Sequence, residues 1–345
     1  MQRLVSIQHL RGLAVLGVVV FHAFQWEWLN FETGSAGVDL FFIISGFVMW
    51  VTTADRPVSP AAFLKRRVAR VAPLYWLASL TALALVLIWP GSIPNVIPDL
   101  RHVLLSLAFI PHLDPKGGPF PLLNPGWTLT YEAFFYVVFA VLLTAPQRWR
   151  PLLLTGVMLL VFWFGFRVWL FAYYIGANAH MLQFAAGVWL GVAWRAKALP
   201  SRGAGLMLVA TGFLLLAALQ LQDYRPGLLR PLELGGPALL IALGWLGAEA
   251  DPRGGIPTWS GLQRLGNASY TIYLCHTLTA PAVARWVGYD RPWLFVPADV
   301  LAGVGTGLVC HSLIERPLTR WVRRRLLGDP GESMIVERAD IERTV

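Results

Sequence analysis

Six side chains in this 345-residue chain have the types and spacing to do chemistry together: Arg11, His22, Asp39, Arg67, Arg70 and Glu132. Arg11 and His22 bracket GLAVLGVVVF, ten residues that are all apolar or glycine. They are eleven positions apart, just over three helical turns, so they share one face about 16 Å apart along the axis. A guanidinium binds phosphate or carboxylate in a fork, and an imidazole takes up and returns a proton near neutral pH. Arg67 and Arg70 lie three apart in FLKRRVARVAPLYW (63–76), facing the same way at the start of an apolar run. Arg11 is expected at the same depth, and three guanidiniums at one level suit a phosphate better than an anchor. Asp39 in GVDLFFIISGF and Glu132 in WTLTYEAFFY each follow an apolar boundary by about one turn, near the depth of His22. Either carboxylate could hold an imidazole in one tautomer. Plainer readings stand beside these. Arg11 could snorkel, His22 could make a packing contact, and the 63–76 cluster could anchor a helix at a lipid surface. Each acid could satisfy a neighbouring arginine or a backbone group.

Weaker candidates follow. His276 in SYTIYLCH could be a second acid/base group, though a packed, hydrogen-bonded histidine is the simpler reading; a haem pair with His22 has no attachment motif. His311 lies near Glu315 and Arg316 and reads as a cap or ion pair. Gly187-x-x-x-Gly191 and Gly303-x-x-x-Gly307 read as close helix packing. Cys275 and Cys310 fall in apolar runs and read as small buried hydrophobes rather than a bridge. There is no P-loop, GxSxG, HExxH or GxGxxG, and no metal site is expected.

The elements that must position these residues are membrane helices. The chain is 56 % apolar and 14 % charged, with sixteen tryptophans, where a soluble domain carries about a quarter charged residues. The net charge of +9 fits basic loops on one membrane face better than nucleic-acid binding. Ten apolar stretches could span: 7–27, 35–54, 68–89, 127–145, 152–174, 180–195, 203–221, 234–249, 267–286 and 293–314. The sixth and eighth are short. DLRHVLLSLAFIP (99–111) is amphipathic and suits an interfacial or re-entrant segment. The N-terminus mimics a signal peptide without a small-x-small cleavage site, so it reads as a retained first span. With the N-terminus cytoplasmic, lysines and arginines favour the inner loops by better than two to one, and an even span number puts both termini inside. Trp26, Trp28, Trp89 and Trp127 then mark outer ends. The fold class is an all-α bundle of about ten transmembrane helices in the inner (plasma) membrane. The end 328–345 reads as a polar, mobile tail.

In these phrases the chain resembles the membrane acyltransferase 3 family over about residues 5–325. The carriers are Arg-x10-His (Arg11, His22), GVDLFFIISGF (37–47), Arg-x-x-Arg (Arg67, Arg70) followed by PLYW, GWTLTYEAFFY (126–136), SYTIYLCH (269–276) and IERP (314–317). The second-span, RRVARVAPLYW and WTLTYE phrases look most like the branch of ExoZ-type exopolysaccharide acetyltransferases. The resemblance implies a transmembrane acyltransferase domain over 1–325, a polar cytoplasmic tail over 326–345, and transfer of an acyl group from acetyl-CoA to a sugar hydroxyl. Many relatives carry two adjacent acids where Glu132 is followed by Ala133. Some carry an extracytoplasmic esterase-like domain that is not expected here.

On this resemblance Arg11, Arg67 and Arg70 bind the phosphates of cytosolic acyl-CoA and the pantetheine arm runs along the first span. His22 is the general base on the acceptor hydroxyl, which attacks the thioester directly rather than through an acyl-histidine. Asp39 or Glu132 orients His22, Glu132 being preferred, and Ser45 is a candidate oxyanion donor. The partners are membrane lipids, acyl-CoA and a glycan or lipid-linked saccharide, with no nucleic acid; self-association is left open. Two alternatives share the features: a transporter or flippase of a lipid-linked sugar, and O-acylation of a small molecule such as a macrolide.

Overall fold

In hydrocarbon no water can bond a free peptide group, so apolar runs of this length must close their backbone bonds internally as helices. The structure, a computed structural model, describes residues 4–25, 31–93, 95–165, 180–222, 224, 229–252 and 255–327. Among these residues every regular element is helical and there is no strand. The helices are α1 (Val5–Phe24), α2 (Ala36–Thr53), α3 (Pro60–Ile88), α4 (Leu100–Leu107), α5 (Gly126–Leu142), α6 (Arg150–Gly165) and α7 (His180–Arg195). They continue as α8 (Arg202–Leu221), α9 (Arg230–Glu233), α10 (Gly235–Ala250), α11 (Ser260–Val287), α12 (Pro292–Cys310) and α13 (Arg316–Leu327). A π-helical turn, His311–Glu315, joins the last two.

Each of the ten apolar stretches falls on one of these helices. Among the described residues six segments are both long and apolar enough to cross a membrane: Val5–Phe24, Glu32–Thr53, Pro60–Ile88, Arg202–Leu221, Arg230–Ala250 and Pro292–Leu327. Of the other stretches, α5 is short, with 17 residues, while α6 ends and α7 begins beside residues outside those described. α11 has 28 residues but carries Gln263, Arg264, Asn267, Ser269, Tyr270, Thr271, Tyr273 and His276. The fifth stretch beyond Gly165, Trp26, Trp28 and the polar tail 328–345 lie outside the described residues. α13 extends to Leu327.

α3 begins eight residues before the apolar run at 68. Ser59 caps it, its Oγ accepting from the Ala62 N–H at 3.2 Å, and Pro60 occupies the first turn. Arg67 and Arg70 therefore sit about 10 and 15 Å along the helix rather than at its mouth. The amphipathic 99–111 segment is the short helix α4, capped by the Asp99 side chain on His102 N–H at 2.8 Å.

The centre of the molecule is built from α1, α2, α7 and α11. α2 is the most enclosed candidate span, with 89 % of its apolar window buried, against 11 % for α8 at the periphery. Both small-residue pairs act as packing contacts. A Cβ on Gly187 would lie 2.0 Å from the Ile43 carbonyl oxygen and one on Gly191 2.9 Å from Trp50, so α7 rests directly on the α2 backbone. On α12, Gly303 abuts His276 and Gly307 abuts Ile272, bringing that helix against α11. Cys275 and Cys310 are free and partly buried.

Candidate active site

The polar face of α11 ties the bundle together. Ser269 accepts from Arg11 Nε on α1 at 3.1 Å, and Tyr270 donates to the Val71 carbonyl on α3 at 2.7 Å. Thr271 donates to Glu315 in the π-helical turn, and Tyr273 shares a 3.0 Å hydrogen bond with Thr128 on α5. Residues 269, 273 and 276 are spaced i, i+4, i+7, which puts them on one stripe facing α1. Glu315 also accepts from His311 Nδ1 at 2.5 Å, and Arg316 Nε donates to His311 Nε2 at 3.2 Å, so His311 bridges these two neighbours as a neutral imidazole.

One cavity, about 880 Å³ including its open mouth, gathers four of the six predicted residues: Arg11, Arg67, Arg70 and Glu132. Ser45, Tyr136, Ser269 and Tyr273 also line it. Its charged side chains are thus three guanidiniums and one carboxylate, an excess of positive charge that favours an anion. Glu132 accepts from Ser45 Oγ at 3.0 Å and from Tyr136. The Ser45 hydroxyl hydrogen is therefore engaged by Glu132, which takes away the oxyanion role suggested for it in this state. The Arg67 guanidinium lies over the rings of Phe63 and Tyr136, 5.4 and 5.9 Å from their centroids. Its Nε is buried with no hydrogen-bond partner among the described residues. A buried guanidinium nitrogen with bonding capacity left over, beside a cavity with excess positive charge, suits an anion.

His22 sits further along α1, against His276 of α11. The rings are 4.9 Å apart, edge to face, with His22 Nδ1 and His276 Nε2 separated by 3.3 Å. Tyr273 lines the cavity and its ring centroid lies 5.9 Å from that of His276, so the cavity leads toward the imidazole pair. Among the described residues neither Asp39 nor Glu132 is hydrogen-bonded to His22. Glu132 belongs to the arginine cavity, because Thr128, Glu132 and Tyr136 fall on one face of α5 at spacing four. Asp39 is fully buried on the other side of α2. It accepts from Arg230 Nη1 at 2.9 Å, and its Oδ1 lies 3.2 Å from His180 Nδ1. Arg230 is the counter-ion of Asp39, only 17 % exposed. Sequence reasoning also passed over Ser269, Tyr273 and Tyr136. The signal for the first two was the polar stripe on an otherwise apolar stretch.

The profile of the Acyl_transf_3 family, described as an acyltransferase domain, matches residues 4–314. The exopolysaccharide production protein ExoZ of Rhizobium meliloti (strain 1021) is 37 % identical over 89 % of this chain and 96 % of its own length. Acyltransferase MdmB of Streptomyces mycarofaciens is 26 % identical over 94 % of this chain and 93 % of its own. The putative peptidoglycan O-acetyltransferase YrhL of Bacillus subtilis (strain 168) is 25 % identical over 91 % of this chain but 54 % of its own. No solved structure matches significantly.

Proposed function

The chain belongs to the acyltransferase 3 family, and from that premise we propose that it is an integral inner-membrane O-acyltransferase moving an acetyl group from acetyl-CoA to a sugar hydroxyl. The acceptor in this reading is an exopolysaccharide, another cell-surface glycan or its lipid-linked precursor, in keeping with the name of the relative ExoZ. The observation that carries the reading is one cavity holding Arg11, Arg67 and Arg70, with His22 about 16 Å further along α1. The donor is charged at its phosphate end and reactive at its thioester end, and this spacing matches that polarity.

The three arginines bind the CoA phosphates from the cytoplasmic side, and the pantetheine arm runs along α1 past Tyr273. His22 accepts the proton of the acceptor hydroxyl as its oxygen attacks the thioester carbonyl. The carbon–sulfur bond then breaks, and the sulfur leaves with the proton returned by His22. A positioned base of this kind is worth roughly a hundred- to ten-thousand-fold. The chain crosses the membrane ten times with both termini inside. Helix directions support that count. α2 and α7 run parallel, Asp39 meeting His180 and Trp50 meeting Gly191; α1 and α11 run parallel; α8 and α10 run antiparallel, as do α11 and α12. Consecutive alternating crossings require each of these relations.

The test is the ester content of the surface polysaccharide, read by NMR and mass spectrometry, from cells with this gene, without it, and with His22→Ala. O-acetyl groups lost in the last two, with the variant present in the membrane at normal level, are the expected result. Normal acetylation with His22→Ala refutes the reading.

A further inference from the structure

His22 and His276 each turn Nδ1 toward the carbonyl of the residue four positions earlier on their own helix. His22 Nδ1 is 2.9 Å from Val18 O, and His276 Nδ1 is 3.2 Å from Ile272 O. A carbonyl oxygen can only accept, so Nδ1 carries the hydrogen on both rings. On a neutral His276 that leaves Nε2 as a bare lone pair, 3.3 Å from His22 Nδ1. The His22 Nδ1–H is therefore shared between two acceptors, Val18 O and His276 Nε2. His22 Nε2 is left with an unshared lone pair, the form that a general base needs.

We propose that His276 is a positioning residue for His22, a neutral acceptor that fixes the ring and stabilises the imidazolium formed when His22 takes the acceptor's proton. This inference rests on His22 being the base. His276 neither gains nor loses a proton in the cycle. The hydroxyl proton goes to His22 Nε2 as the carbon–oxygen bond forms, and passes to the departing sulfur as the carbon–sulfur bond breaks. The Nδ1–H of His22 stays between its two acceptors throughout, and its bond to His276 strengthens while the ring is charged. A second imidazole thus takes the part that an acid plays in a serine–histidine–acid arrangement.

The surroundings hold this geometry. α11 is anchored one turn away by Tyr273 on Thr128 and two turns away by Ser269 on Arg11. α12 presses on both groups that define the His276 tautomer. A Cβ on Gly303 would stand 3.0 Å from His276 Cβ, and one on Gly307 2.5 Å from Ile272 Cα, the residue whose carbonyl receives the Nδ1–H. The Gly303-x-x-x-Gly307 pair therefore sets the position of the ring and of its acceptor together. Thr279 adds a bond from its Oγ1 to the His276 carbonyl at 2.8 Å, with Asp299 Oδ1 3.5 Å away.

The experiment measures transfer of labelled acetyl from acetyl-CoA to polysaccharide isolated from cells lacking the gene, using full-length protein in membrane vesicles at matched protein levels. His276→Ala should lower kcat roughly 10- to 100-fold, the value of one hydrogen bond to a charged group, with KM for acetyl-CoA unchanged. His276→Gln can place its amide oxygen near the Nε2 position and should recover most of the loss. A kcat within twofold of wild type for His276→Ala overturns the proposal. So does His276→Gln being as slow as His276→Ala. If His22→Ala alone is fully active, the base assignment fails instead, and the two failures are distinct.

Discussion

Replacing Arg67 by methionine should separate what this guanidinium does for the folded protein from what it does for a ligand. Arg67 Nε is buried without a partner among the described residues, and such a donor costs about 1–3 kcal/mol. Its two ring contacts, to Phe63 and Tyr136, return about 0.5–1 kcal/mol each. Those contributions nearly cancel, and methionine keeps the contact with both rings while removing repulsion from Arg70 in the same cavity. The thermal midpoint of the free protein should therefore stay level or rise. Binding behaves differently. A charge-assisted bond to phosphate is worth about 1.5–3 kcal/mol, so KM for acyl-CoA should rise about 10- to 150-fold. The assay is thermal unfolding in detergent with and without CoA, alongside KM from vesicle turnover. The expected pattern is an unchanged or higher midpoint, a smaller CoA-induced rise, and a higher KM. A lower midpoint with unchanged KM would make Arg67 a structural residue and refute the phosphate-site argument.

Other outcomes follow from contacts elsewhere. Glu249 accepts from the backbone N–H of Val5 and Ser6 at 2.7 and 3.0 Å and so caps α1 from another helix; Glu249→Ala should cost about 1–3 kcal/mol in chemical denaturation while leaving KM alone. Asp39→Ala leaves Arg230 without its buried carboxylate and should destabilise by about 3–5 kcal/mol, visible as low membrane yield and a lowered midpoint. Gly187→Leu should push α7 off the Ile43 carbonyl and abolish accumulation of folded protein, checked by size-exclusion profile. The His102 Nδ1 and His112 Nε2 atoms in the segment after α3 are 2.8 Å apart, and burial, with His112 beside it, holds His102 below its usual 6.5. The unfolded chain then binds the proton more readily, so the contribution of His102 is complete above pH 6.5 and declines as pH falls below it. Midpoints measured from pH 8 to 5 should fall less in His102→Phe than in wild type.

The helices were legible because the apolar runs are long and water is absent, which leaves the backbone one solution. The three arginines were legible because their spacing and depth are both set by helix geometry. For the acids, depth alone says little without rotation about the helix. Asp39 does lie near the end of α2 where His22 was expected, but Asp39, Ile43, Gly46 and Trp50 form the stripe facing α7. Val38, Phe41, Ser45 and Val48, about one residue's rotation away, face the cavity. A carboxylate on the wrong side of a helix finds a different cation, and Arg230 and His180 supply it. Glu132 shares its face with Thr128 and Tyr136, which directs it to the arginines. His276 lay on a stretch long enough to span, and only the parallel approach of α11 to α1 brings it to His22. Such a meeting between residues 254 positions apart is a tertiary fact with no local sequence signal.

The most direct test of the account is acyl transfer by the purified protein in lipid vesicles, with labelled acetyl-CoA and isolated polysaccharide, for wild type and His22→Ala. The account predicts alkali-labile label on the polysaccharide with wild type and none with the variant at equal protein. Saccharide carried across the vesicle membrane with no label transferred by the wild-type protein would contradict it.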